Sequence, residues 1–213
     1  MGKPLRQAQQ DALDGTLPGY LIDLDHLLPL AGLFPHAIAE LRLEIGFGGG
    51  EHLMAEAARC PDMGYIGIEP FLNGMAKMSQ TLTDRPLPNV RLFNQDAALL
   101  LERLPAASLA QVELLYPDPW PKRRHWKRRF VRPDNLDLLA RALRPGGTFR
   151  FASDVADYVD WTLREVRAHG AFRWTQTRAD DWRTPYPFWP GTRYEAKALQ
   201  VGRVPTYLAF ERI

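Results

Sequence analysis

The chain has 213 residues, 46% of them hydrophobic and 11% aromatic, with a net charge of +2. That composition supports a sizeable core and excludes a disordered chain, and no apolar run approaches the roughly 18 residues of a membrane span. Cys60 stands alone, which excludes an internal disulfide and a cysteine-built zinc cage, and the five histidines lack metal-ligand spacing, so no metal is expected.

The start, MGKPLRQAQQDALDG, lacks the apolar stretch of a secretory signal, so a cytoplasmic protein is expected. Pro18, Gly19, Pro29, Gly32 and Pro35 interrupt short apolar pieces, so residues 1–37 read as an irregular, partly disordered arm and 38–213 as the main domain. From residue 41 short apolar runs alternate with amphipathic segments, the pattern of βαβ units around a parallel sheet. Strands are expected at 41–45, 65–68, 90–93, 112–115 and 148–152, and last strands at 172–175 and 206–211, with a loop over 176–203. Helices are expected at 52–58, 71–82, 134–143 and 155–169, the third stopped by Pro145-Gly146-Gly147 and the last by Gly170. No repeat or linker breaks this series, so one domain is expected.

Acids sit at or beside the strand ends: Glu44, Glu69, Asp96, Asp118 and Asp154. Ligands of open parallel sheets bind outside the carboxyl ends of the strands. Five acids there predict a ligand with positive charge or many donors. Taken singly, each acid equally suits a helix cap.

The segment Glu44-Ile45-Gly46-Phe47-Gly48-Gly49-Gly50 follows a strand and opens a helix, so Gly46 and Gly48 are expected to allow a tight turn against a nucleotide-like ligand. A dinucleotide fingerprint needs glycine at position 51, where Glu51 stands, and no Lys-Ser or Lys-Thr follows as in a phosphate-binding loop. Glu44 and Glu51 flank the loop and would repel a pyrophosphate. S-adenosyl-L-methionine carries a sulfonium and an ammonium and no phosphate, so it suits the site better. Glu69, after the second strand, is placed to accept from ribose hydroxyls, and Asp96, after the third, from the adenine amine. A nicotinamide or flavin dinucleotide is the alternative that the loop leaves open.

Tyr116-Pro117-Asp118-Pro119-Trp120-Pro121-Lys122 ends the fourth strand, and its three prolines make a stiff turn suited to positioning. A basic run follows at once. Residues 122–132 hold seven of the chain's positive charges and no negative ones, leaving five net negative charges on the rest of a chain whose total is +2. A charge run is usually a solvated face. This one abuts the stiff turn and interleaves His125 and Trp126, which better fits phosphate contacts with a stacking surface.

These motifs resemble the bacterial tRNA (guanine-N7)-methyltransferases. The most specific match is PDPWPKRRHWKRRFV at 117–131. LEIGFGGG (43–50), GIEPF (67–71), FASDVADY (151–158) and TRYEAKAL (192–199) follow in order and spacing, and the N-terminal GKPLRQAQQDAL matches the family's basic arm. The resemblance implies a Rossmann-like class I S-adenosylmethionine-dependent methyltransferase, an α/β fold with a mostly parallel seven-stranded sheet and helices on both faces. It implies that Glu44, Glu69, Asp96 and Asp118 bind the cofactor, with Asp118 also catalytic. It assigns Lys122, Asp154, Thr192, Arg193, Tyr194 and Glu195 to the tRNA substrate, and Arg124, His125, Trp126, Lys127, Arg128 and Arg129 to RNA contact. The implied product is 7-methylguanosine at tRNA position 46, in the variable loop. Two departures stand out: Trp126, where many members have His or Lys, and Ser153-Asp154, where many have Thr-Asp. Thr192 and Glu195 equally suit an ordinary capping box. Monomer and homodimer both remain open.

Overall fold

The computed structural model describes residues 4–213, so the first three residues of the expected arm lie outside the described residues. The chain divides into two compact units, one ending at Leu104 and the other beginning at Pro105. No linker marks the division in the sequence.

The first unit begins with helix α1 (Gln7–Gly15), where the sequence suggests an irregular arm. The prolines and glycines fall after this helix, in short 3₁₀ turns at Leu17–Gly19, Leu24–His26 and Leu30–Leu33. Leu17 packs into a buried cluster with Met75, Met78 and Leu82, which ties the arm down. Between the turns, the Ile22 N–H donates to the Leu92 carbonyl at 2.8 Å, so the arm also runs along a strand edge. Strands β1 (Leu41–Ile45), β2 (Gly64–Ile68) and β3 (Val90–Phe93) are parallel in the order β3-β2-β1, with Leu43 opposite Ile66 and Ile66 opposite Arg91. Their near-continuous apolar runs suit strands buried on both faces. Helices α2 (Glu51–Arg59), α3 (Leu72–Asp84) and α4 (Ala97–Arg103) follow the three strands in turn. The sequence reading lacks α4, a seven-residue helix too short for its periodicity to stand out.

The second unit holds strands β4 (Leu109–Leu115), β5 (Leu143–Ser153), β6 (Phe172–Trp174) and β7 (Thr206–Arg212) in the order β4-β5-β7-β6. β4 and β5 are parallel, and β7 runs antiparallel to both β5 and β6. Helix α5 (Pro133–Ala142) starts on a proline, whose missing N–H would be unpaired there anyway, and α6 (Ala156–His169) ends on Gly170 at φ +79°. Pro145-Gly146-Gly147 does not separate a helix from a strand as expected. β5 already begins at Leu143, and the partner of Leu109 is Leu143 whereas that of Gln111 is Thr148. The intervening Arg144–Gly147 stretch is bulged out of the ladder. The expected loop 176–203 contains two helices, α7 (Ala179–Arg183) and α8 (Arg193–Gln200). No described helix is long and apolar enough to cross a membrane.

Candidate active site

In the first unit the glycine loop leaves β1 with left-handed backbone at Gly46 (φ +73°), Gly48 (+59°) and Gly50 (+79°). Side chains rarely adopt that conformation, and the space beside Gly46 is open. Glu69, buried just past β2, fastens the loop. Its Oε2 accepts the Gly48 N–H at 2.8 Å and its Oε1 accepts the Phe71 N–H at 2.9 Å. Gly74 in α3 completes the fit, because a Cβ there would collide with the Gly48 carbonyl oxygen and the Glu69 side chain. Sequence reasoning passes over Gly74, although an isolated glycine within a helical pattern is itself a signal of close approach.

Glu44 is 4% exposed and accepts a hydrogen bond from, or pairs with, buried His52 through Nδ1 at 2.8 Å. Glu51 pairs with Lys77. Asp96 caps α4, its Oδ1 accepting the Ala98 N–H at 2.9 Å, while its side chain stays exposed. Capping and ligand binding are thus compatible at Asp96. This donor set fits S-adenosylmethionine. The loop has no lysine for a phosphate, open space lies beside Gly46, and carboxylates stand in or just after the first three strands at Glu44, Glu69 and Asp96.

In the second unit the Asp118 turn is held by more than its prolines. Tyr116 and Trp120 both have left-handed backbone, at φ +50° and +44°. Each such residue without glycine's freedom costs on the order of 1–3 kcal/mol, a strain that persists only where the surroundings enforce it. Between them, Asp118 is exposed and lines a cavity of 350 Å³ with Tyr116, Asp154, Tyr194, Lys197 and Arg203. Asp154 accepts from Arg203 Nη1 at 2.9 Å. Asp118, Asp154 and Tyr194 of the expected site therefore meet in one cavity. Lys197 and Arg203 are additions that the sequence does not announce, since Arg203 lies 49 residues from its partner Asp154.

Glu195 shows the capping-box alternative. The resemblance makes it an acceptor for the substrate, but it is 8% exposed and its carboxylate turns inward. Oε2 accepts from Trp189 Nε1 at 2.7 Å and from the Thr192 N–H at 3.3 Å, and Oε1 accepts from the Tyr207 hydroxyl. With the Glu195 N–H donating to Thr192 Oγ1 at 3.0 Å, this is a full capping box for α8. Arg193 and Tyr194 stand at the exposed start of the same helix, the guanidinium 4.9 Å from the ring centroid.

The basic run forms a 3₁₀ turn, Arg123–Arg128, and divides by direction. Lys122, Arg124, Lys127 and Arg128 are exposed, with the Arg128 guanidinium 4.8 Å from the Trp120 ring and His125 edge-on to that ring. Arg129 and Trp126 depart from the expected RNA-contact role. Arg129 is 1% exposed, its guanidinium packed against Trp126, Tyr158 and Trp161 at 5.0, 4.9 and 5.1 Å from the ring centroids. Trp126 is half-buried and packs edge-on against Trp161, so its ring is occupied within the protein. Burial follows from the rings: they give a cation the attraction it loses on leaving water.

Solved structures with a similar fold include an antibiotic-related methyltransferase (TM-score 0.60, 19% identity, covering 90% of this chain and 95% of that one) and the 16S rRNA methyltransferase KamB (TM-score 0.59, 18% identity, 83% and 89%). The fold is the Rossmann-like α/β fold of class I methyltransferases, and the family described as "Putative methyltransferase" matches residues 39–207. Among curated relatives, the tRNA (guanine-N(7)-)-methyltransferase of Azorhizobium caulinodans is 76% identical over 100% of this chain and 93% of its own length. That of Mesorhizobium japonicum is 56% identical over 99% and 91%. The chain belongs to the tRNA (guanine-N(7)-)-methyltransferase family.

Proposed function

We propose that the protein transfers a methyl group from S-adenosylmethionine to N7 of guanine 46 in the variable loop of tRNA. The observation that carries this reading is one continuous segment. An exposed carboxylate, Asp118, is fixed between two left-handed residues, and exposed cations follow it directly at Lys122, Arg124, Lys127 and Arg128. A donor held by Glu44, Gly46, Gly48, Glu69 and Asp96 supplies an electrophilic sulfonium methyl.

Guanine N7 is a hydrogen-bond acceptor with no proton to lose. No general base is needed at the nucleophile, so the protein's work is alignment and charge. Asp118 accepts from the guanine N1–H and exocyclic amine, which distinguishes guanine from adenine. Its charge also favours the cation that forms as N7 is alkylated. Lys122 serves O6 or a phosphate and leaves N7 free. Asp154, held by Arg203, is the second acceptor of the cavity, and Tyr194 at its rim offers an aromatic face. Thr192 and Glu195 set the position of Arg193 and Tyr194 through the capping box. The exposed residues of the 3₁₀ turn take up phosphates and bring the base within reach.

Methyl transfer to unmodified tRNA, mapped by chain cleavage at 7-methylguanosine, tests the reading. A single cleavage in the variable loop is expected. Asp118→Asn keeps the shape and removes the charge, so turnover should fall at least about 100-fold with folding intact. Methyl on an exocyclic amine would overturn the reaction, and near-normal turnover of the variant would overturn the role of Asp118.

A further inference from the structure

Arg129 sits among six cationic neighbours in the sequence, yet it points the other way from the exposed members of the turn. It is buried, and three aromatic rings surround its guanidinium. Its Nε donates to the carbonyl of Pro119 at 2.9 Å, and its Nη2 pairs with Asp157 in the first turn of α6. Pro119 is the residue between Asp118 and left-handed Trp120.

The surrounding contacts make α6 a fixed reference. The Tyr158 hydroxyl accepts the Phe130 N–H at 3.0 Å, and Trp161 Nε1 donates to the Val131 carbonyl at 2.7 Å. The chain just after Arg129 is thereby stitched to the helix, while Arg129 itself reaches back to the turn. We propose that Arg129 is a positioning residue: it anchors the Pro119 carbonyl to α6 through Asp157 and so holds the strained turn that presents Asp118. A fork with separate donors can span both partners, whereas a lysine ammonium on the same stem is a single point.

Three measurements on the full-length protein test this. The first is the indole N–H NMR signal of Trp120, assigned with Trp120→Phe. Trp126 and Trp161 touch the guanidinium and will respond to any change there, whereas Trp120 lies outside that contact and meets the anchor through Pro119 and, along the turn, through Arg128 and His125. Arg129→Lys and Asp157→Asn are each expected to shift or broaden the Trp120 signal. Second, at saturating tRNA, kcat should fall by about tenfold or more through misplacement of Asp118. Third, the Kd for tRNA should stay within about twofold and keep its salt dependence. Asp157 is exposed, so Asp157→Asn decides the matter even where Arg129→Lys does not fold.

An unmoved Trp120 signal in Asp157→Asn overturns the inference. So does Arg129→Lys with normal kcat and a salt slope shallower by about one, the mark of a phosphate left unbound. The kinetic arm rests on the proposed reaction. A wild-type protein inactive on tRNA would remove that reading, while the Trp120 signal would still judge the anchor.

Discussion

A single absent methyl group controls the approach of α3 to the glycine loop. Gly74→Ala places a Cβ against the Gly48 carbonyl oxygen and Glu69, and neither is the free end of a flexible chain. The backbone has to yield, at about 1–3 kcal/mol for an overpacked contact. Calorimetric titration should therefore show S-adenosylmethionine binding weakened by roughly tenfold or more, with the tRNA affinity of the cofactor-free protein little changed. Normal cofactor affinity in this variant would show that the loop can shift without loss. The same residues mark the reach of sequence reasoning. Glu69 is legible as an acid after a strand, but not as the acceptor of two loop N–H groups, because that role depends on where α3 comes to rest. Arg128 and Arg129 are neighbours of the same type, yet one is exposed and the other enclosed by rings from two other positions of the fold.

At the scale of elements, the 3₁₀ turn carries a prediction of its own. Lys127→Gln with Arg128→Gln removes two exposed cations and leaves the Arg129 anchor in place. The slope of log affinity against log salt for tRNA should become shallower by about one for each phosphate that is no longer neutralised. An unchanged slope would identify the turn as a solvated face. Most strands and helices are legible because apolar periodicity is a local property. The exceptions have local causes too. α4 is too short to show a period, and of α8 only the start is legible, as the Thr192–Glu195 capping box, because polar residues dominate the helix itself. Pro145-Gly146-Gly147 looks like a stop. Its place inside β5 is fixed by the partner strand, as Gly147 lies tight against the carbonyls of Arg144 and Ala110. The α1 helix escapes a sequence reading because prolines later in the arm outweigh QAQQDAL, a segment with few apolar residues that is nonetheless held against α3.

Over the whole molecule, buried tyrosines set the alkaline limit of stability. Burial pushes Tyr158 up to about 12, and it raises Tyr65, Tyr116, Tyr186 and Tyr207 as well. In the unfolded chain these hydroxyls ionise near pH 10, about the ordinary tyrosine value. Between that pH and the raised folded values, unfolding releases protons, so the stability present below pH 10 is lost as pH rises. Thermal melts followed by circular dichroism should show a midpoint that holds from about pH 7 to 9 and falls above about pH 10. A midpoint level through pH 11 would mean that these phenols gain water before the chain unfolds. The proposed role of the basic run also belongs at this scale, since +7 over residues 122–132 against a total of +2 makes one region attractive to a polyanion on an otherwise acidic chain.

The Asp118 turn has a consequence for the speed of encounter. Pro117, Pro119 and Pro121 fix three backbone angles whatever is bound, and Tyr116 and Trp120 hold left-handed backbone among them. A turn constrained by three prolines has few conformations to search after contact is made. Association should thus proceed in one concentration-dependent phase, governed by diffusion and ionic attraction, without a slower step in which this loop reorganises.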